Sequence, residues 1–189
     1  CKLESLIHLG TENPNYLELK KKLDFYKKNL TATKNLIDYF SKQQVDKRLI
    51  LIGTSQMYGN KKKKVNLNSR FKPINSYAKF RVAAYNYMLK SKKKYKSNII
   101  TAILFNHDST FRKKKFLIPR LIKIIKKKQI KKLSSIYKEN ISGDFSHAED
   151  ICHGLYKLLL LKNYPDKLIF SSNKRTYMKN FLHYAQPSI

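Results

Sequence analysis

Glycine is scarce in this chain: five in 189 residues, at Gly10, Gly53, Gly59, Gly143 and Gly154. That spacing contains no Gly-x-Gly-x-x-Gly, so no recognisable turn brings backbone amides against a pyrophosphate. Cysteine is rarer still. Cys1 and Cys152 have no metal-ligand spacing and are too few for a disulfide scaffold, which fits a reducing, cytoplasmic setting. Tryptophan is absent. No apolar run approaches the roughly 20 residues needed to span a bilayer, so no membrane span is expected. No leader segment is visible, and the chain opens on Cys1 rather than Met. Acidic residues are few, 12 against 41 Lys and Arg, for a formal charge of +29. Such an excess suits a nucleic-acid or anionic-membrane surface. Here Lys falls in runs, Lys61–Lys64, Lys92–Lys94, Lys113–Lys115 and Lys126–Lys128, without aromatics interleaved as a stacking platform. Lys, Asn and Ile abound together, which is the bias of AT-rich codons. No nucleic-acid partner is therefore expected.

What is present is a set of short β-branched runs alternating with helical spacing. Ser5–Gly10 reads as a strand ending on a small residue, followed by a polar loop from Thr11 to Asn15. Lys22 to Phe40 has apolar residues at Leu23, Tyr26, Leu30, Ile37 and Phe40, a helical interval. Leu49–Ile52 is a strand buried on both faces, as in a parallel sheet. Asn75 or Ser76 caps a helix carrying Tyr77 and Arg81, which at i and i+4 share one face. Ile99–Phe105 is a second buried strand. Helices are predicted over Phe116–Ile125, despite Pro119, and over His147–Leu161. Short strands are predicted within Lys131–Tyr137 and over Leu168–Ser171. Alternation of this kind gives an α/β fold with a parallel sheet. In such sheets ligands sit beyond the carboxyl ends of the strands, so Gly10, Thr54 and Asn106 should share that edge.

Four motifs occur in order: Gly53-Thr54-Ser55-Gln56-Met57-Tyr58-Gly59, Asn75-Ser76-Tyr77-Ala78-Lys79-Phe80-Arg81, Leu104-Phe105-Asn106-His107-Asp108-Ser109 and Asp144-Phe145-Ser146-His147-Ala148-Glu149-Asp150. Together they resemble the extended short-chain dehydrogenase/reductase family, and within it the GDP-mannose 4,6-dehydratases. The similarity runs from about Leu6 to Ile169. The resemblance implies a Rossmann-type parallel sheet with flanking helices, incomplete because the first β-α units, roughly 60 residues at about 30 per unit, are missing. It implies a partial NAD(P)-binding epimerase/dehydratase domain over 1–189, with substrate-binding segments at about 106–150 and 172–189.

It also implies chemistry. Tyr77 matches a tyrosinate that takes the sugar C4 hydroxyl proton during hydride transfer to NADP (or NAD). Free Tyr titrates near 10, so a neighbouring cation must favour its anion. That cation is Lys in the family and Arg81 here, a larger planar fork. Thr54 matches the hydroxyl bound to the C4 oxygen. Gln56 stands where the family has the Glu that removes the C5 proton, and a neutral amide cannot act as a general base. Glu12, after a neighbouring strand end, is the alternative carboxylate. Leu9, Gly10, Leu104, His107 and Arg112 match cofactor-binding positions. Asn106 and Arg120 match positions on the sugar nucleotide, and Gly143 replaces a family Arg. Asn29 matches a family Asn on its helix. No metal is implied. The implied substrate is a nucleotide sugar, GDP-mannose, converted to GDP-4-keto-6-deoxymannose by a homo-oligomer in the cytoplasm. A related epimerase or 4-keto reductase, or a degenerate non-catalytic relative or fragment, fits the same motifs.

Overall fold

A computed structural model describes residues 3–12, 22–42, 47–59, 64–114, 116–127, 129 and 141–180. The strand expected within Lys131–Tyr137 lies outside them. The chain divides into two compact units, Cys1–Leu104 with Gly154–Phe170, and Phe105–His153 with Ser171–Ile189.

The first unit holds a four-stranded parallel sheet of β1 (Ser5–His8), β2 (Arg48–Thr54), β3 (Asn98–Leu104) and β6 (Lys167–Phe170), in the order β1-β2-β3-β6. Register pairs His8 with Leu51, Thr54 with Leu104, and Leu104 with Phe170. All four strands therefore end on one edge. The central strands are buried from Leu49 to Ile52 and from Ile99 to Leu104, with Thr101 the one polar side chain among them, as expected of strands covered on both faces.

Helices α1 (Lys22–Lys42) and α2 (Ser76–Tyr95) pack against each other beside this sheet. The buried side of α1 runs Phe25, Asn29, Thr33, Ile37 and Phe40. That differs from the stripe drawn through apolar positions, because the polar residues Asn29, Thr33 and Ser41 are buried as well, partnered by Glu12, by His8 of β1 and by Ser91 and Ser97. Tyr26 and Leu30 are only partly buried against Phe25, Phe80 and Ala84. Asn75 caps α2, its Oδ1 accepting from Ala78 N–H at 2.8 Å.

The second unit holds β4 (Asn106–Asp108), β5 (Ser142–His147) and β7 (Arg175–Tyr177); β4 and β5 are parallel, β5 and β7 antiparallel. Sequence periodicity missed these strands. Ser142–His147 has no apolar alternation, and pairing on both sides makes it a strand, so the helix expected from His147 begins as α4 at Ala148, running to Leu159. Helix α3 (Leu117–Lys126) tolerates Pro119 in its first turn, where backbone N–H groups have no intrahelical partner. Its Leu121 and Ile124 pack with Met178, flanked by Ile141 and Phe145. No helix of the described residues is long and apolar enough to cross a membrane.

Candidate functional site

In the first unit the strand edge carries most of the expected residues. β2 ends at Thr54, whose Oγ1 accepts from Gln56 N–H at 3.4 Å and caps the 3-10 turn Ser55–Tyr58. Gly53, just before Thr54, has no room for a side chain, since a Cβ there would lie 3.0 Å from Met57 Sδ and from Thr101 Cγ2. The turn ends at Gly59, whose φ of +73° is costly for other residues and whose Cβ would collide with the Lys72 carbonyl. Lys72 N–H in turn donates to Met57 O at 2.9 Å, tying the segment before α2 onto the motif. Tyr58 is buried, and burial first, then Tyr85, pushes its phenol up to about 12.

Asn75 Nδ2 donates to Gln56 Oε1 at 2.8 Å. Since Asn75 Oδ1 is committed to the helix cap, the pairing fixes which end of the Gln56 amide is held: its oxygen. Its Nε2 is a donor, and Gln56 itself is exposed.

One turn into α2, Tyr77 and Arg81 meet as their spacing predicts. Arg81 Nη2 donates to Tyr77 Oη at 3.2 Å, and its Cζ lies 5.1 Å from the Tyr77 ring centroid and 4.9 Å from that of Phe80. Arg81 is only 5% exposed, so little of its charge reaches water. The same Nη2 donates to Thr11 Oγ1 at 2.8 Å, a contact not foreseen in the sequence.

Thr11 is placed by the loop leaving β1. Its N–H donates to Leu9 O at 2.9 Å, a tight turn centred on Gly10, where a Cβ would meet nothing within 4 Å. Asn29 holds the next residue twice: Oδ1 accepts from Glu12 N–H at 3.0 Å, and Nδ2 donates to Glu12 O at 3.1 Å. His8, at the end of β1, is buried with Nε2 3.1 Å from Thr33 Oγ1. Burial, and secondly the Arg81 charge, hold its imidazole below the usual 6.5. Leu104 ends β3 level with Thr54.

The other expected residues belong to the second unit. Asn106 opens β4 opposite Phe145 and is exposed, with its Nδ2 2.8 Å from where a Cβ on Gly143 would lie. That crowding gives Gly143 a local reason to be small. His107 Nδ1 lies 2.9 Å from Phe105 O; donation to that carbonyl leaves Nε2 as an acceptor in the neutral ring. Arg112 stacks its guanidinium 3.7 Å from the Phe116 ring centroid. Arg120 is exposed on α3.

Known proteins resemble this chain. Among curated relatives, GDP-mannose 4,6 dehydratase 1 of Arabidopsis thaliana is 25% identical over 132 residues, 69% of this chain and 36% of that protein. GDP-mannose 4,6 dehydratase 2 of Caenorhabditis elegans is 23% identical over 141 residues, 73% of this chain and 37% of that protein. The chain thus spans little more than a third of these relatives' length. Among solved structures, dTDP-glucose 4,6-dehydratase of Bacillus anthracis in complex with NAD superposes with a TM-score of 0.78 at 16% identity, over 96% of this chain and 56% of that one. The RMD protein of Pseudomonas aeruginosa complexed with NADPH gives 0.77 at 19% identity, over 95% of this chain and 64% of that one. At these identities the superpositions speak for the Rossmann-type fold alone. The family described as GDP-mannose 4,6 dehydratase matches residues 1–189. With that match running through every motif of the strand edge, the chain belongs to the GDP-mannose 4,6-dehydratase family.

Proposed function

We propose that this chain carries the sugar-oxidising half of an NAD(P)-dependent nucleotide-sugar enzyme, acting on GDP-mannose in the manner of a 4,6-dehydratase. The observation that carries the reading is the Arg81–Tyr77 hydrogen bond on the helix after a strand that ends in Thr54. A guanidinium bonded to a phenol oxygen pairs with its tyrosinate form, and that anion is the group to take the C4 hydroxyl proton, becoming a neutral phenol. Thr54 orients that hydroxyl. NAD(P), when bound, supplies the hydride acceptor.

The residues fit one end of that cofactor. Tyr77 and Arg81 suit the nicotinamide ribose, and Leu9, Gly10 and Leu104 border the same strand edge. The pyrophosphate grip is lacking, since the five glycines form no phosphate turn. His107 and Arg112 are assigned to the cofactor, Asn106 and Arg120 to the sugar nucleotide, and the second unit to substrate binding. The whole protein is taken as a cytoplasmic homo-oligomer.

A second reading is favoured by Gln56. Lacking a base there, the site suits an epimerase or 4-keto reductase, whose chemistry needs proton and hydride transfer at one carbon only. Incubation with GDP-mannose and NADP, followed by mass spectrometry and NADPH absorbance, tests both. A 4-keto-6-deoxy product supports the first reading, a 4-keto product or epimer the second. No change in either signal from a protein containing this chain and a phosphate-binding loop overturns the enzymatic reading. For the chain alone, calorimetric titration with NADP should give binding weaker than the low micromolar range.

A further inference from the structure

Arg81 has a partner that no motif marks. Its Nη2 bears two hydrogens, and two acceptors lie in reach: Thr11 Oγ1 at 2.8 Å and Tyr77 Oη at 3.2 Å. Arg81 Nε is buried and has no hydrogen-bond partner among the described residues. A planar guanidinium held at Nη2 from two sides cannot swing about its last torsions as a lone side chain does.

We propose that Thr11 is a positioning residue for Arg81: its hydroxyl fixes the guanidinium so that Nη2 faces Tyr77 Oη. Thr11 can do this because its loop is itself held. The tight turn at Gly10 sets its direction, and the buried Asn29 amide grips both backbone groups of Glu12. Helix α1 thereby reaches Tyr77 on helix α2 through a chain of four residues, Asn29, Glu12, Thr11 and Arg81. The site reading above enters only through the kinetic consequence.

The test compares Thr11→Val, which keeps the shape and loses the hydroxyl, with Thr11→Ser, which keeps the hydroxyl. In the chain labelled with 15N-arginine, wild type and Thr11→Ser should show slowly exchanging, separate Arg81 Nη2 protons. In Thr11→Val they should exchange about tenfold faster or more, the effect of losing one charge-assisted hydrogen bond. Equal exchange in all three overturns the proposal. Should Thr11→Val fail to fold, Thr11→Ala is read in the same way.

The kinetic arm uses a protein containing this chain and a phosphate-binding loop, with NADP and GDP-mannose. The acid limb of its pH–rate profile for hydride transfer should move to higher pH in Thr11→Val and return in Thr11→Ser. A purely structural loss would lower the whole profile without moving it, and that result also overturns the proposal. Absence of any turnover in wild type would refute the proposed function, leaving the exchange measurement to decide the role of Thr11.

Discussion

At the residue scale, three side chains set what this site can do: Gln56, Arg81 and His8. Gln56 has no titratable group and is held through its oxygen by Asn75. It can donate to a substrate oxygen but cannot remove a carbon-bound proton. General-base contributions are about 100- to 10,000-fold, so on the proposed function, and in a protein that adds a phosphate-binding loop to this chain, Gln56→Glu should raise 4-keto-6-deoxy sugar formation from GDP-mannose by that order. The gain should exceed any that Arg81→Lys brings to hydride transfer. Dehydration at an unchanged rate in Gln56→Glu would assign the base elsewhere. His8 gives a pH prediction. Its folded imidazole titrates below 6.5, so as pH falls through that value the unfolded chain binds a proton the folded chain resists. Stability contributed by neutral His8 is full above that range and is lost on the acid side. Thermal unfolding between about pH 7.5 and about pH 5 should fall more steeply in wild type than in His8→Gln. Parallel curves would refute the assignment.

At the scale of elements, the join between the β2 edge and α2 is where local structure becomes a site. Thr54 caps the 3-10 turn, Gly59 ends it, and Asn75 both starts α2 and grips Gln56. One residue thus sets where the helix carrying Tyr77 begins and how the amide at the strand end points. Asn75→Ala removes the cap and should cost about 1 kcal/mol in urea unfolding. Asn75→Ser keeps a capping oxygen and should recover most of that loss without restoring the grip on Gln56. An Ala variant as stable as wild type would show that the cap contributes little here. Helix α1 serves the site in a similar way. Its buried face includes Asn29 and Thr33, whose polar atoms meet the β1 loop and His8.

At the scale of the whole molecule, charge is the dominant feature. A net +29 on 189 residues repels itself, which opposes compaction at low ionic strength. The screening length falls from about 30 Å at 0.01 M salt to about 10 Å at 0.1 M. The melting temperature should therefore rise as sodium chloride goes from about 10 mM to about 300 mM. A flat response would mean that local pairing already offsets the repulsion.

The sequence by itself determined the parallel sheet, because Leu49–Ile52 and Ile99–Leu104 are largely apolar, β-branched runs too short for helices and buried on both faces. It also placed Tyr77 beside Arg81, since residues four apart on a helix must meet. The order of motifs was enough to identify the family. Tertiary structure decided the rest. Ser142–His147 is a strand only because β4 and β7 flank it, and no periodicity announces that. Asn29 and Thr33 are buried because Glu12 of the loop and His8 of β1 supply their partners, so reading apolar positions alone found Ile37 and Phe40 on the buried face of α1 but not these two. Thr11 lies 70 residues from Arg81 in the chain, and a polar loop residue carries no local signal of such a contact. Local spacing encodes contacts within one element, whereas a hydrogen bond between elements exists only once the sheet and its helices have brought the two ends together.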